Sequence, residues 1–143
     1  MTSCVVDASV AAKWLLPAAG EGLIGQANDM VARHVRRELL LLAPDLIGAE
    51  IGNVLWKAVR RQRISRIEAE NSLRRFIDLA IHLMPTAELL PQALQVAVKC
   101  DRSFYDSLYV ALAIATDTEL ITADERLVNA LGSRFPVRWL GAL

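Results

Sequence analysis

The sequence predicts an α/β fold: a mainly parallel sheet of four to five strands with helices covering both faces. Two observations lead there. The strand-like segments Cys4-Val5-Val6, Leu39 to Ala43 and Leu120-Ile121 are unbroken apolar runs rather than alternating ones, as strands buried on both faces are. Helical stretches separate them in a repeating strand and helix order, the pattern of parallel sheets with crossover helices. A third observation sets the scale. The chain has 143 residues, 54% of them apolar, with only seven glycines and five prolines. That is enough chain to bury a core without staples, and the composition excludes a disordered or collagen-like polymer. With no internal repeat and no linker, residues 1–143 are expected to form one unit.

Each element has a local reason. Residues 3 to 7 form a short apolar strand, after which Ser9 is expected to cap a helix through Val10, Ala11, Trp14 and Leu15 that Pro17 and Gly20 end. A second helix runs from about Gly22 to Arg37. The run Leu39 to Ala43 is the next strand, and Pro44 with Asp45 as N-cap launches a long helix to about Arg63. Ser65 and Glu68 form a capping box for another helix through Leu73, Phe76, Ile77 and Ala80. Leu83 to Thr86 is a strand by exclusion. Helices follow at about 88 to 99 and 104 to 116, then a strand at Glu119 to Thr122, a short helix to Leu131 and a terminal strand at Val137 to Leu140.

Net charge is zero, so no global field draws the chain to nucleic acid or an acidic membrane. The distribution is uneven, however. Lys57, Arg60, Arg61, Arg63 and Arg66 crowd one helix end and the turn after it, with Arg74 and Arg75 further on. Of the sixteen basic residues only Lys13, Lys57 and Lys99 are lysines, and arginine is the side chain that grips phosphate bidentately. Complementing the helix dipole is the plainer reason for such a cluster. No apolar stretch reaches the roughly 18 residues of a spanning helix. No basic segment and cleavage site open the chain, so a cytosolic location and no membrane partner are expected. Two cysteines, Cys4 and Cys100, do not make a metal framework; Cys4 reads as a small buried hydrophobe.

Four acids carry the chemistry. Asp7 and Asp124 end strands whose carboxyl ends share one edge of a parallel sheet, where such sheets put their sites. Glu50 and Asp106 lie on helices that pack alongside. Each has a plain explanation taken singly. Asp7 and Asp124 precede helices as caps, Asp106 completes Ser103-x-x-Asp106, and Glu50 is a solvated helix residue. Together they read differently, because Asp7 and Asp106 stand among apolar neighbours where an unpaired carboxylate is costly. Glu50 lies three residues before Asn53, near Gly48 and Gly52, whose missing side chains let the helix approach a neighbour. No lysine or histidine is an evident partner for all four acids, whereas hard oxygen ligands suit magnesium or manganese.

The segments Val5-Val6-Asp7-Ala8-Ser9-Val10, Pro44-Asp45-Leu46-Ile47-Gly48-Ala49-Glu50-Ile51-Gly52-Asn53, Tyr105-Asp106-Ser107-Leu108-Tyr109-Val110-Ala111-Leu112-Ala113 and Leu120-Ile121-Thr122-Ala123-Asp124 resemble, in order and over essentially the whole chain, the PIN-domain ribonucleases. The resemblance is strongest to the VapC toxins of toxin–antitoxin pairs. It implies a three-layer α/β/α sandwich, a site for Mg²⁺ (or Mn²⁺) made by the acids, cleavage of RNA, a small antitoxin partner and a homodimer. By position, Asp7, Glu50, Asp106 and Asp124 match the family's acids, and Ser9, Asn53 and Thr122 its supporting polar residues. Asp7 and Asp106 are expected as the most direct ligands, with Glu50 and Asp124 binding a second ion or orienting water. Trp14, Leu15, Leu16 and Trp56 are candidates for an antitoxin groove, although apolar residues at helical spacing are ordinarily core.

His34 and His82, expected on helices away from these motifs, have no assigned role. Other classes fit less well. A receiver-type phosphoacceptor wants an acidic pair after the first strand and a late lysine; an aspartyl phosphatase wants Asp-x-Asp, and position 9 is Ser. No Gly-x-Gly-x-x-Gly follows a strand, which removes a dinucleotide site. A housekeeping RNA-processing nuclease without antitoxin, and a module that binds RNA or protein without cutting, remain as alternatives.

Overall fold

A computed structural model describes residues 1–17 and 22–143. In chain order the elements are β1 (Thr2–Val6), α1 (Ala8–Leu15), α2 (Ile24–Val35), β2 (Leu39–Pro44), α3 (Ile47–Arg60), α4 (Arg66–Asp78), β3 (His82–Met84), α5 (Leu90–Cys100), α6 (Phe104–Ala115), β4 (Leu120–Thr122), α7 (Glu125–Leu131) and β5 (Val137–Trp139). Short 3₁₀ turns at Thr86–Leu89 and Leu140–Ala142 complete the described order. The architecture is the three-layer α/β/α arrangement expected from the apolar runs.

All five strands are parallel and lie in the order β3-β2-β1-β4-β5. The chain therefore starts in the middle of the sheet, builds to one side, then crosses β1 to build the other. The crevice at such a reversal is where open α/β sheets bind ligands. Val5 pairs with Leu120 and Val6 with Ile121, so the next residues along, Asp7 and Thr122, emerge side by side at the carboxyl edge. Val5, Val6, Leu41, Ala43 and Leu120 are wholly buried between the layers. Helix α6 packs across β1, β2 and β4, and all seven residues from Ser107 to Ala113 are buried, which explains a helix apolar all round.

The local differences from expectation have physical causes. Asp7, not Ser9, is the N-cap of α1; Ser9 stands inside the helix and bonds back to Asp7. Helix α3 starts after Leu46, with no side-chain cap, because the Asp45 carboxylate instead accepts the Thr86 N–H at 3.3 Å. The Ser65 and Ser103 hydroxyls accept the Glu68 and Asp106 N–H groups at 3.1 and 3.0 Å; the return bonds of a full capping box are not among those observed. The third strand is His82–Met84 rather than Leu83 to Thr86, so His82 lies on a strand, not a helix. A Cβ on Gly48 or Gly52 would meet nothing within 4 Å, so these glycines serve no close helix approach. The end of α1 expected at Gly20 falls outside the described residues.

Candidate active site

Each of the four acids stands at the start of a helix. Asp7 and Asp124 are the N-caps of α1 and α7, while Glu50 and Asp106 lie in the first turns of α3 and α6. The positive ends of four helix dipoles therefore face the negative side chains and offset part of their repulsion.

Asp7 Oδ1 accepts the N–H groups of Ser9 at 3.1 Å and Val10 at 3.3 Å, and the Ser9 hydroxyl donates to the same oxygen at 2.5 Å. That hydroxyl also accepts the Ala123 N–H at 2.9 Å and lies 3.3 Å from the Thr122 hydroxyl. Ser9 thus pins the start of α1 to the segment after β4. Thr122 Oγ1 accepts the Asp124 N–H at 3.1 Å, and Asp124 Oδ1 accepts the N–H groups of Arg126 and Leu127 at 3.0 and 3.4 Å. From α6, the Tyr109 hydroxyl reaches α3 and donates to Glu50 Oε1 at 2.5 Å. Tyr109 is only 2% exposed, so its hydroxyl needs such a partner.

Burial dominates the electrostatics. It pushes the Asp7 carboxyl up to about 6 against the opposing hydroxyls of Ser9 and Thr122 and the Val10 N–H, and the Asp106 charge raises it further. Glu50 is raised by burial and by Asp106, with the Tyr109 hydrogen bond pulling it down. Asp106 is raised by burial and by Asp124, with Ser103 and Arg102 opposing. Asp106 is thus in the field of all three other acids. Among the described residues none of the four is in an ion pair.

The other expected positions divide. Ser9 and Thr122 lie in the cluster. Asn53 is exposed and makes no side-chain hydrogen bond among the described residues. His34 is occupied elsewhere, its Nε2 2.8 Å from the Leu79 carbonyl and its Nδ1 3.3 Å from the Leu41 N–H. Trp14, Leu15 and Leu16 line a cleft of about 400 Å³ with Pro17, Ile64 and Ser72, whereas Trp56 stands apart on α3, 53% exposed. Tyr109 and Arg102 escaped the sequence reading. Tyr109 was findable, lying three residues after Asp106 on an apolar helix where a hydroxyl needs a partner. Cys4 is buried, and burial pushes its thiol up to about 12, which makes it inert.

The donors suit a hard divalent cation, being all carboxylate and hydroxyl oxygen. Three carboxyls held up by burial and by a neighbouring acid are in the condition that such a charge relieves. Among the described residues no three acids are grouped closely enough to form a ready cage. Asp7 and Asp124 each commit one oxygen to a helix start, so a bound ion would draw on their other oxygens.

The PIN domain family model matches residues 4–131. The chain is a PIN-domain protein. Within the family it is similar to Ribonuclease VapC1 of Mycobacterium tuberculosis, 37% identical over 133 residues that cover 92% of this chain and 93% of the relative. Ribonuclease VapC3 of Pyrobaculum aerophilum is 33% identical over 127 residues, covering 87% and 92%. Among solved structures, PAE2754 from Pyrobaculum aerophilum superposes on this PIN domain with a TM-score of 0.68 at 24% identity, over 99% of this chain and 94% of the other. VapBC2 from Rickettsia felis, bound to a DNA fragment from its promoter, gives 0.67 at 10% identity over 96% and 98%. These likenesses carry the fold. No helix among the described residues is long and apolar enough to cross a membrane.

Proposed function

We propose that this PIN domain is an endoribonuclease dependent on Mg²⁺, or on Mn²⁺ in its place, that hydrolyses RNA phosphodiester bonds as the toxin of a toxin–antitoxin pair in the cytoplasm. The observation that carries the reading is the position of Asp106 in the field of Asp7, Glu50 and Asp124, opposed by the Arg102 charge but with none of the four acids in an ion pair among the described residues. Asp7 and Asp106 are the residues that hold the ion most directly, with Glu50 and Asp124 completing its surroundings. When bound, the divalent ion supplies charge against the developing phosphorane-like oxygens and acidifies water.

The chain's own residues do the positioning. Tyr109 holds Oε1 of Glu50 and leaves Oε2 for a ligand or a water. Ser9 fixes Asp7 and ties it to the Ala123 peptide, so the two strand ends move together. Neither histidine serves as a base: His34 is engaged by backbone groups and His82 lies exposed on an edge strand. The cleft lined by Trp14, Leu15 and Leu16 is the place for the apolar segment of a small antitoxin, and the active form is a homodimer.

Total RNA incubated with purified protein tests this. Cleavage is expected with Mg²⁺ and lost with chelator, and lost in Asp106→Asn, whose amide keeps the shape and removes the charge. Equal cutting with and without chelator ends the metal-dependent reading. Tight RNA binding without any metal-dependent cutting makes the chain a binding module instead.

A further inference from the structure

The end of α3 carries features that the acid cluster does not use. Trp56 is 53% exposed, and the Arg60 guanidinium lies over its ring, 4.8 Å from the centroid. Trp56, Lys57, Arg60 and Arg61 line one hollow, and Lys57, Arg61 and Arg63 border a second beside it. Among the described residues, none of Lys57, Arg60, Arg61 and Arg63 makes a salt bridge or a side-chain hydrogen bond. Three such cations around an exposed tryptophan and a fourth, Arg63, past the helix end go beyond what a helix dipole asks for, since a tryptophan does nothing for a dipole.

Helical geometry connects this patch to the acids. Lys57 and Arg61 follow Glu50 by two and three turns, within about 20° of its direction on the helix and roughly 10 and 16 Å along the axis. Trp56 and Arg60 lie on the outward side, opposite the buried Ile47, Ile51, Leu55 and Ala58. The surface therefore reads as a charged stripe leading to Glu50, with an aromatic platform along its outer border.

We propose that this half of α3 and the turn after it are a docking track for single-stranded RNA. A base stacks on Trp56 and the Arg60 guanidinium, and backbone phosphates meet Lys57 and Arg61 on the way to the acid cluster. Charge complementarity selects the occupant: unpaired cations call for a polyanion, and an exposed aromatic face beside them calls for an unstacked base. The inference rests on the RNA-cleaving reading above and names where its substrate lies.

The test is fluorescence anisotropy with a fluorescein-labelled single-stranded oligoribonucleotide, using the full chain as the non-cutting Asp7→Asn variant. Adding Trp56→Ala is expected to weaken binding about ten-fold, within the range for one stacked base, and Trp56→Phe to restore most of it. Adding Lys57→Ala with Arg61→Ala is expected to lower the slope of log affinity against log salt by roughly 1.4, the value for two lost phosphate contacts on a single strand. Affinity within two-fold in Trp56→Ala together with an unchanged slope overturns the track. So does a polyglutamate peptide that binds as tightly as the RNA and loses as much in the same variants, because the face is then a protein-docking surface. If wild type cuts RNA while these variants bind normally, the track is wrong and the nuclease reading stands. If binding follows the track but wild type never cuts, the nuclease reading falls and the track stands.

Discussion

Replacing Asp7 by Asn should make the metal-free protein more stable at neutral pH, not less. Burial lifts the Asp7 carboxyl from 3.8 to about 6 in the folded chain. Below the ordinary value both folded and unfolded chains carry the proton and Asp7 adds no penalty. As pH rises through the folded value, the unfolded chain has already ionised at no cost while the folded chain must hold a desolvated charge, so stability is lost. A shift of about two units corresponds to about 3 kcal/mol at pH 7.5, at about 1.36 kcal/mol per unit. The residue is only 8% exposed, so solvent screening removes little of this. Asparagine caps a helix as well as aspartate, so the bonds from Ser9 and Val10 survive and the gain is not offset at the start of α1. For a chain of this length, about 3 kcal/mol raises the melting temperature by roughly 6–12 °C. Thermal melts of wild type and Asp7→Asn in chelator at pH 7.5 and pH 4.5 read the effect; the gap at the second should shrink to about a third of that at the first, because the unfolded carboxyl is already largely ionised at pH 4.5 while the folded one is not. Mg²⁺ should raise the wild type and leave the variant unmoved. A variant that melts below wild type in chelator at pH 7.5, or a gap equal at both pH values, refutes the reasoning.

Tyr109→Phe removes the hydroxyl that fixes Glu50. Mn²⁺ affinity by calorimetry should fall about 10- to 100-fold, as it does when a group orienting a ligand is lost, and unchanged affinity would remove Tyr109 from the site. His34→Phe strands the Leu79 carbonyl and the Leu41 N–H. It should cost about 1–3 kcal/mol in urea unfolding while leaving the cleavage rate of the folded protein unchanged; a rate loss would make His34 part of the chemistry.

The fold was readable because its central strands are buried on both faces. Leu39 to Ala43 and Leu120-Ile121 announce themselves as apolar runs since every residue in them except the half-buried Leu40 is buried. The edge strand β3 was blurred by the same logic, because His82 and Leu83 are exposed and leave no run to read. Strand order was not legible at all: the pairing of Val5 with Leu120 depends on how crossovers pack, not on either segment. Caps were misplaced wherever an oxygen had two partners in reach. Asp45 reaches Thr86 on the far side of β3 rather than its own helix. Ser9 looked like a cap because it stands two residues after one. At the site, acids among apolar neighbours were visible, but Tyr109 meets Glu50 across two helices. Asn53 was matched by resemblance, which carries no information on exposure, and it stands exposed on α3.

The position of β1 at the middle of the sheet has a consequence for synthesis on the ribosome. The first strand made lies against β4, one of the last, and Asp7 meets the Thr122 and Asp124 loop only once that late strand has docked. A nascent chain with long-range pairings of this kind finishes folding only after nearly all of it has emerged. Whatever the cluster of acids does, it begins to do it only when translation of the chain is almost over, which gives a neighbouring polypeptide made at the same time its opportunity to arrive first.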